Sequence, residues 1–135
     1  VTQLTEKETA ELVRAAAAFR ERAYARYSGF QVGAALLSGD GRIFGGCNVE
    51  NASYGLTICA ERGAIAAAVA AGERDFRAIA IVGGSGKPAT PCGACRQFLV
   101  EFNPLMKVIL ATPGNPEMRV YDARDLLPEF FTLKD

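Results

Sequence analysis

Two short stretches of this chain place cysteine where a helix is expected to start, and a fold that brings both starts to one point gains a metal site. The first stretch is Thr57-Ile58-Cys59-Ala60-Glu61-Arg62-Gly63-Ala64-Ile65-Ala66-Ala67-Ala68-Val69. Its alanine-rich body, with Ile58, Ile65 and Val69 at helical intervals, predicts a mostly buried helix whose first turn carries Cys59 and Glu61. Unpaired backbone N–H groups at a helix start favour anions and lower the cost of a thiolate. The second stretch is Pro91-Cys92-Gly93-Ala94-Cys95-Arg96-Gln97. If both helices begin side by side, Cys59, Cys92 and Cys95 supply three thiolates and leave a fourth position open. Three protein ligands plus water are the pattern of catalytic zinc, whereas four close a structural site. The chain has no histidine, so such a site rests on sulfur, and only Cys47 remains as a possible fourth ligand.

Other bounds are consistent with an enzyme of one domain spanning residues 1–135. About half of the 135 residues are apolar, enough for one hydrophobic core. Fifteen Lys and Arg balance fifteen Asp and Glu with no basic run, which argues against binding long nucleic acid by phosphate neutralisation. Four cysteines, two of them in Cys-x-x-Cys and one beside an acid, look like a metal set in a reducing compartment rather than a secreted disulfide framework. The start lacks a basic segment followed by an apolar core, and no run is long enough to span a bilayer, so a cytoplasmic protein is expected, with no membrane partner.

Taken in order, Thr5-Glu6-Lys7-Glu8 reads as a capping box. The helix it opens is expected to run to about Tyr24, with Leu12, Ala15, Ala16, Phe19 and Ala23 as its apolar stripe. Phe30 to Leu37 reads as a buried strand, and Asp40-Gly41 turns it into a second strand from Arg42 to Cys47. Glycines 33, 45 and 46 permit close approach, either by packing or by ligand. The polar stretch Asn48 to Gly55 is a loop between a strand end and the Cys59 helix, a natural place for substrate contacts through Asn48 and Glu50. Gly72 closes the central helix. Strand Phe76 to Gly83, a connection through Gly84 to Pro88, and a helix from Pro91 to about Phe102 follow. The chain ends with strands Val108 to Ala111 and Met118 to Tyr121, a short helical turn from Asp122, and Leu126-Leu127-Pro128-Glu129-Phe130-Phe131. This alternation argues for a mixed five-stranded sheet covered by helices, with both cysteine-bearing helices starting at the carboxyl ends of strands.

The chemistry of the constellation divides among its members. Three thiolates outweigh a zinc dication, which would make bound water less acidic than on a histidine-rich zinc unless charge is withdrawn from sulfur. Arg62 and Arg96 are the side chains expected to donate hydrogen bonds to the sulfurs and offset that charge. Glu61, pointed away from Cys59 by the helix, is expected to move protons rather than bind metal.

Cys-x-Glu followed far downstream by Pro-Cys-x-x-Cys is the three-cysteine variant of the signature of zinc deaminases. More of the chain fits. Tyr27-Ser28-Gly29-Phe30-Gln31-Val32-Gly33-Ala34-Ala35-Leu36, Gly46-Cys47-Asn48-Val49-Glu50-Asn51-Ala52-Ser53-Tyr54, Cys59-Ala60-Glu61-Arg62, Pro91-Cys92-Gly93-Ala94-Cys95-Arg96-Gln97 and Leu126-Leu127-Pro128 before two aromatics stand in one order. In these blocks the chain closely resembles the small homotetrameric cytidine deaminases of nucleoside salvage.

The resemblance implies a three-layer α/β/α domain of the cytidine deaminase type and hydrolytic deamination of cytidine and deoxycytidine to uridine and deoxyuridine. It implies one Zn2+ per subunit on Cys59, Cys92 and Cys95, with Glu61 as proton shuttle. It also implies Asn48 and Glu50 on the ribose hydroxyls, Phe30 against the pyrimidine or sugar, and the Ala60 backbone near the ring amide. It further implies that a terminal aromatic, Phe131 with adjacent Phe130 as the other register, reaches a neighbouring subunit's site in a homotetramer, and that Arg62 relieves thiolate charge. Arg26 and Gly63 depart from the pattern, where many relatives have Pro and Thr. The alternatives are a deaminase of another aminated heterocycle, such as a blasticidin-type nucleoside, and a structural zinc or redox module built on Cys92 and Cys95.

Overall fold

The chain enters its first helix through the capping box expected at Thr5. In the computed structural model, which describes residues 3–133, the Glu8 backbone N–H donates to Thr5 Oγ1 and the Thr5 N–H donates to Glu8 Oε1, both at 3.0 Å. The same Glu8 carboxylate receives two hydrogen bonds from Arg77 at 2.9 and 3.1 Å. Those bonds, chiefly Arg77's, hold its carboxyl at about 2 rather than 4.5. The expectation of one domain over residues 1–135 includes Val1, Thr2, Lys134 and Asp135, which lie outside the described residues.

The elements are helix α1 (Glu6–Arg20), strands β1 (Gly33–Ser38) and β2 (Ile43–Cys47), helix α2 (Ala60–Ala70), strand β3 (Phe76–Val82), helix α3 (Gly93–Phe102), and strands β4 (Lys107–Ala111) and β5 (Met118–Asp122). Short 3-10 turns occupy Tyr54–Leu56 and Ala123–Leu126. The five strands form one sheet in the order β2-β1-β3-β4-β5. β3 and β4 pair in parallel, and the other three pairings are antiparallel. The sheet is mixed as expected.

Period-two alternation sorts the strand side chains into two cores. Ala35 and Leu37 of β1, with Ala78, Ala80 and Ile109, face Leu12 and Ala16 of α1. Ala34 and Leu36, with Ile79, Ile81, Val108 and Leu110, face α2 and α3 through Ala64, Ile65, Ala68, Leu99 and Val100. The result is a three-layer α/β/α arrangement. Among the described residues no helix is long and apolar enough to cross a membrane.

The two largest boundary differences from the sequence expectation, at the end of α1 and the start of β1, both arise from long-range hydrogen bonds. α1 ends at Arg20 rather than near Tyr24. The Tyr24 N–H donates to Asn48 O and its carbonyl accepts from the Glu50 N–H, each at 2.9 Å, which draws Tyr24 into a bridge beside Val49. β1 starts at Gly33 rather than Phe30, because the Asn48 side chain takes the backbone bonds of Phe30 and Val32 that a ladder would use.

Glycine sets how closely the layers approach. A Cβ at Gly33 would stand 2.1 Å from Ala16 O of α1, and one at Gly46 would stand 2.4 Å from Ala60 O and 2.5 Å from Ala64 N of α2. Helix backbone, not ligand, therefore explains these glycines. Gly63 differs, since the nearest atoms to an added Cβ lie 3.8 Å away. In urea denaturation, Gly46→Ala is expected to lose about 1–3 kcal/mol by overpacking, whereas Gly63→Ala in the helix interior should gain about 0.5–1 kcal/mol. Equal midpoints for the two variants would contradict this account.

Candidate active site

The sheet order brings the two cysteine-bearing helix starts together. Gly33, the first residue of β1, pairs on one side with Cys47 at the end of β2 and on the other with Val82 at the end of β3. The chain leaves those two strand ends at the same edge and returns through loops into α2 and α3. Cys59 is the N-cap of α2, at φ −74° and ψ 155°, and Cys92 is the N-cap of α3, at φ −70° and ψ 169°. Cys59 thus stands just outside the helix rather than within its first turn. Neither thiol makes a capping hydrogen bond to its own helix, so each sulfur is available elsewhere. Cys95, one turn into α3, shares the face of Cys92.

The three sulfur atoms lie within 4.8 Å of one another, and Cys59 Sγ and Cys92 Sγ are 3.8 Å apart. Two thiolates bound at about 2.3 Å around a tetrahedral zinc stand about 3.8 Å from each other, so the observed spacing fits a shared metal. Cys95 is buried, Cys59 is half-buried and Cys92 is exposed, which gives the cluster one open side. Cys47 is a free thiol at the end of β2 and is outside the cluster. Closure by a fourth sulfur is therefore absent among the described residues.

Charge around the sulfurs is uneven. Hydrogen bonding from Cys95, followed by Arg62 and Cys92, draws the Cys59 thiol down to about 5. Cys95, its partner in that interaction, is pushed up, first by the bond to Cys59 and then by burial. Arg62 Nη2 lies 3.7 Å from Cys59 Sγ and donates to Thr57 O at 3.2 Å. Arg96 does not follow the expectation that it donates to sulfur. Its Nε donates to Pro91 O at 2.8 Å and its Nη1 to Leu126 O at 2.7 Å. Those carbonyls tie the α3 start to the C-terminal turn.

Glu61, in the first turn of α2, is 4% exposed. Burial is the main cause that pushes its carboxyl above the ordinary range, and the negative Cys59 adds to it. A cavity of about 200 Å³ opens over this group, lined by Phe30, Val32, Asn48, Thr57, Cys59, Ala60, Glu61, Ile81, Ala89, Thr90 and Cys92. Phe30, Asn48 and Ala60, predicted as substrate contacts, meet Glu61 and two of the cysteines in this cavity. Thr57, Ala89 and Thr90 were not singled out in the sequence, although each stands two or three residues before a cluster cysteine. Glu50 lines an adjoining cavity of about 440 Å³ with Tyr27, Ser28, Tyr54 and Thr57. Thr57 belongs to both.

The polar loop is already partly engaged. Asn48 Oδ1 accepts from the Val32 N–H at 2.9 Å and its Nδ2 donates to Phe30 O at 2.8 Å. One amide hydrogen and one oxygen lone pair remain for a ligand. This pairing also fixes which end of the amide is oxygen. Glu50 Oε1 accepts from the N–H groups of Tyr27 and Ser28 at 2.9 and 3.0 Å, and Oε2 accepts from the Ser28 hydroxyl. Phe131 is 66% exposed and lines neither cavity, while half-buried Phe130 packs against the core on the α2 and α3 side.

A family model described as "Cytidine and deoxycytidylate deaminase zinc-binding region" matches residues 6–112. The chain is 46% identical over 124 residues to the cytidine deaminase of Halalkalibacterium halodurans, an alignment that covers 92% of this chain and 94% of that protein. It is similar to the crystal structure of cytidine deaminase from Burkholderia pseudomallei, with a TM-score of 0.87 and 54% identity over 90% of this chain and 98% of that one. Against the crystal structure of cytidine deaminase from Mycobacterium tuberculosis the TM-score is 0.81 and the identity 41%, over 93% and 98% of the two chains.

Metal analysis after zinc loading tests the three-sulfur assignment. Cys47→Ser should hold as much zinc as the parent chain, and Cys95→Ser should lose stoichiometric binding. The reverse pattern would place Cys47 in the metal site.

Proposed function

The chain belongs to the cytidine deaminase family and is a zinc-dependent hydrolase of cytidine and deoxycytidine; from that premise we propose which of its residues carry the reaction. Cys59, Cys92 and Cys95 hold one zinc per chain. Zinc, when bound, supplies the Lewis acidity that makes water a competent nucleophile near neutral pH. Three sulfurs within 4.8 Å beside a buried carboxyl are the observation that carries this assignment.

Glu61 is the proton carrier. Its carboxylate takes a proton from the attacking water and delivers it to N3 of the pyrimidine ring as C4 becomes tetrahedral; it then takes the proton of the new C4 hydroxyl and passes it to the amine, so that the C4–N bond breaks, the C4 carbonyl forms and ammonia leaves. Burial supports that role because it raises the carboxyl toward the operating pH. Arg62, beside Cys59 Sγ, offsets the excess negative charge of three thiolates. Asn48 and Glu50 take the sugar hydroxyls, Phe30 packs against the pyrimidine or sugar, and the Ala60 backbone faces the ring amide. The spare donor on Asn48 and spare lone pair on Glu50 suit a hydroxyl, which can accept from one and donate to the other.

The dithiol alternative uses Cys92 and Cys95 alone and leaves the adjacent Cys59 sulfur and the buried Glu61 without a task. Four free thiols suit the reducing cytoplasm, where we place the protein. All of this chemistry lies within one domain.

Glu61→Gln keeps the shape of the side chain and removes its proton traffic. It is expected to retain zinc and lose about 10²–10⁴-fold in kcat for conversion of cytidine to uridine. Undiminished turnover would remove Glu61 from the mechanism.

The functional unit is a homotetramer in which Phe131 completes a neighbouring subunit's site. The exposure of Phe131 beside a core-packed Phe130 supports this reading with Phe131 as the register. In steady-state kinetics Phe131→Ala should lower kcat/KM by about tenfold, and Phe130→Ala should instead lower the midpoint of thermal unfolding. Unchanged kinetics for Phe131→Ala, with a monomeric mass by light scattering, would overturn it.

A further inference from the structure

Ser28 is exposed and carries no metal-binding or proton-transfer chemistry, yet it occupies the centre of a hydrogen-bond relay. Its hydroxyl donates to Glu50 Oε2. Its oxygen accepts from the Phe30 N–H at 2.9 Å. Since that N–H occupies the oxygen's lone-pair side, the hydroxyl proton is left to point toward Glu50. The Ser28 backbone N–H donates to the other carboxylate oxygen, Oε1, at 3.0 Å, beside the Tyr27 N–H at 2.9 Å.

A carboxylate offers about four lone-pair sites, two on each oxygen. At Glu50 both sites of Oε1 are occupied by backbone donors, and one site of Oε2 is occupied by the Ser28 hydroxyl. A single acceptor site remains, on Oε2. Both residues line the same cavity, so that site is where a sugar hydroxyl meets the chain. Without the serine hydroxyl, Oε2 has two open sites and the carboxylate can turn about its terminal bond, a broad and soft torsion.

We propose that Ser28 is a positioning residue for sugar recognition, which fixes the Glu50 carboxylate so that one lone pair of Oε2 is presented to a hydroxyl of the substrate's sugar. This rests on the assignment of Glu50 to the sugar. The backbone of the relay is already fixed from the far side, since Tyr24 is bonded to Asn48 and Glu50. What the Ser28 hydroxyl adds is therefore orientation of the carboxylate rather than attachment of the loop. The hydroxyl acts on binding of the substrate's sugar end and leaves untouched the deamination chemistry in the adjoining cavity that Glu61 lines.

The zinc-loaded enzyme can be assayed with cytidine and with 2′,3′-dideoxycytidine, which lacks the 2′ and 3′ hydroxyls of the ribose. Ser28→Ala is expected to raise KM for cytidine about tenfold, with kcat unchanged, the size of effect a hydrogen bond to a charged group carries. The same variant should leave kcat/KM for 2′,3′-dideoxycytidine within about twofold of the parent. Ser28→Thr, which keeps a hydroxyl, should restore most of the cytidine KM. A drop in kcat, or an equal loss with both substrates, would reduce Ser28 to a structural loop residue and overturn the proposal. Glu50→Gln separates the two layers of the argument. If Glu50→Gln raises the cytidine KM while Ser28→Ala does not, the positioning role fails and the sugar assignment stands. If Glu50→Gln leaves it unchanged, both fall.

Discussion

Three thiolates held within 4.8 Å of one another would repel strongly enough to challenge the fold. Two unit charges about 4 Å apart interact by about 4 kcal/mol at an effective dielectric near 20, and three such pairs approach the whole stability of a domain, about 5–15 kcal/mol. The cluster answers that repulsion in layers. Without a dication, one thiol gives up its proton readily and its neighbour keeps its own, so Cys59 is drawn down while Cys95 is pushed up. Arg62 lies against the more acidic sulfur. Cys59, Cys92 and Cys95 would hold a zinc ion whose two positive charges would offset most of that repulsion, with Arg62 beside Cys59 against the excess.

Holding the sulfurs so close requires two helix starts to be placed within a few tenths of an ångström, and the sheet does this through contacts that have no side chain. The start of α2 rests on Gly46, where a single added carbon would meet Ala60 O and Ala64 N. Ala60 follows the metal-side cap Cys59 and precedes Glu61, so the glycine contact sets the height of sulfur and carboxyl above the sheet together. Arg96 performs the matching task for α3. Its bonds to Pro91 O and Leu126 O fasten the residue before Cys92 to the C-terminal turn. An arginine expected to act on sulfur electrostatically acts instead on the backbone that carries the sulfur.

The local parts of this arrangement were legible in the sequence. Cysteine at two helix starts, an acid two residues after one of them, and a capping box at Thr5 are short-range patterns, and each element formed close to its expected place. Of the predicted residues that share the main cavity, Glu61 was singled out by its place beside Cys59 and Asn48 by its loop, whereas Phe30 and Ala60 were implied by the family resemblance alone. What could not be read was decided by contacts between distant segments. Tyr24 leaves α1 because Asn48 and Glu50 take its backbone groups, and Phe30 to Val32 leave the strand because of the Asn48 side chain. Helical and strand periodicity carry no trace of either. Phe130 and Phe131 are equivalent as letters, and only packing separates the one held in the core from the one left exposed.

Asn48 and Glu50 show why a polar loop is hard to interpret from composition. Each was legible as a ligand contact or as ordinary surface, and the structure gives each a third occupation as a brace for neighbouring backbone. These occupations do not compete. A side chain free to rotate would have to be ordered by the ligand, at a cost of about 0.5–1.5 kcal/mol for each immobilised group. A side chain whose other hydrogen bonds are already made during folding has met that cost before the ligand arrives. The bonds from Val32, Phe30, Tyr27 and Ser28 therefore leave Asn48 and Glu50 with fewer open sites and with those sites aimed. The same network explains why the loop from Tyr24 to Phe30 departs from both the helix before it and the strand after it: its backbone groups are spent on holding Asn48 and Glu50, which line the two adjoining cavities.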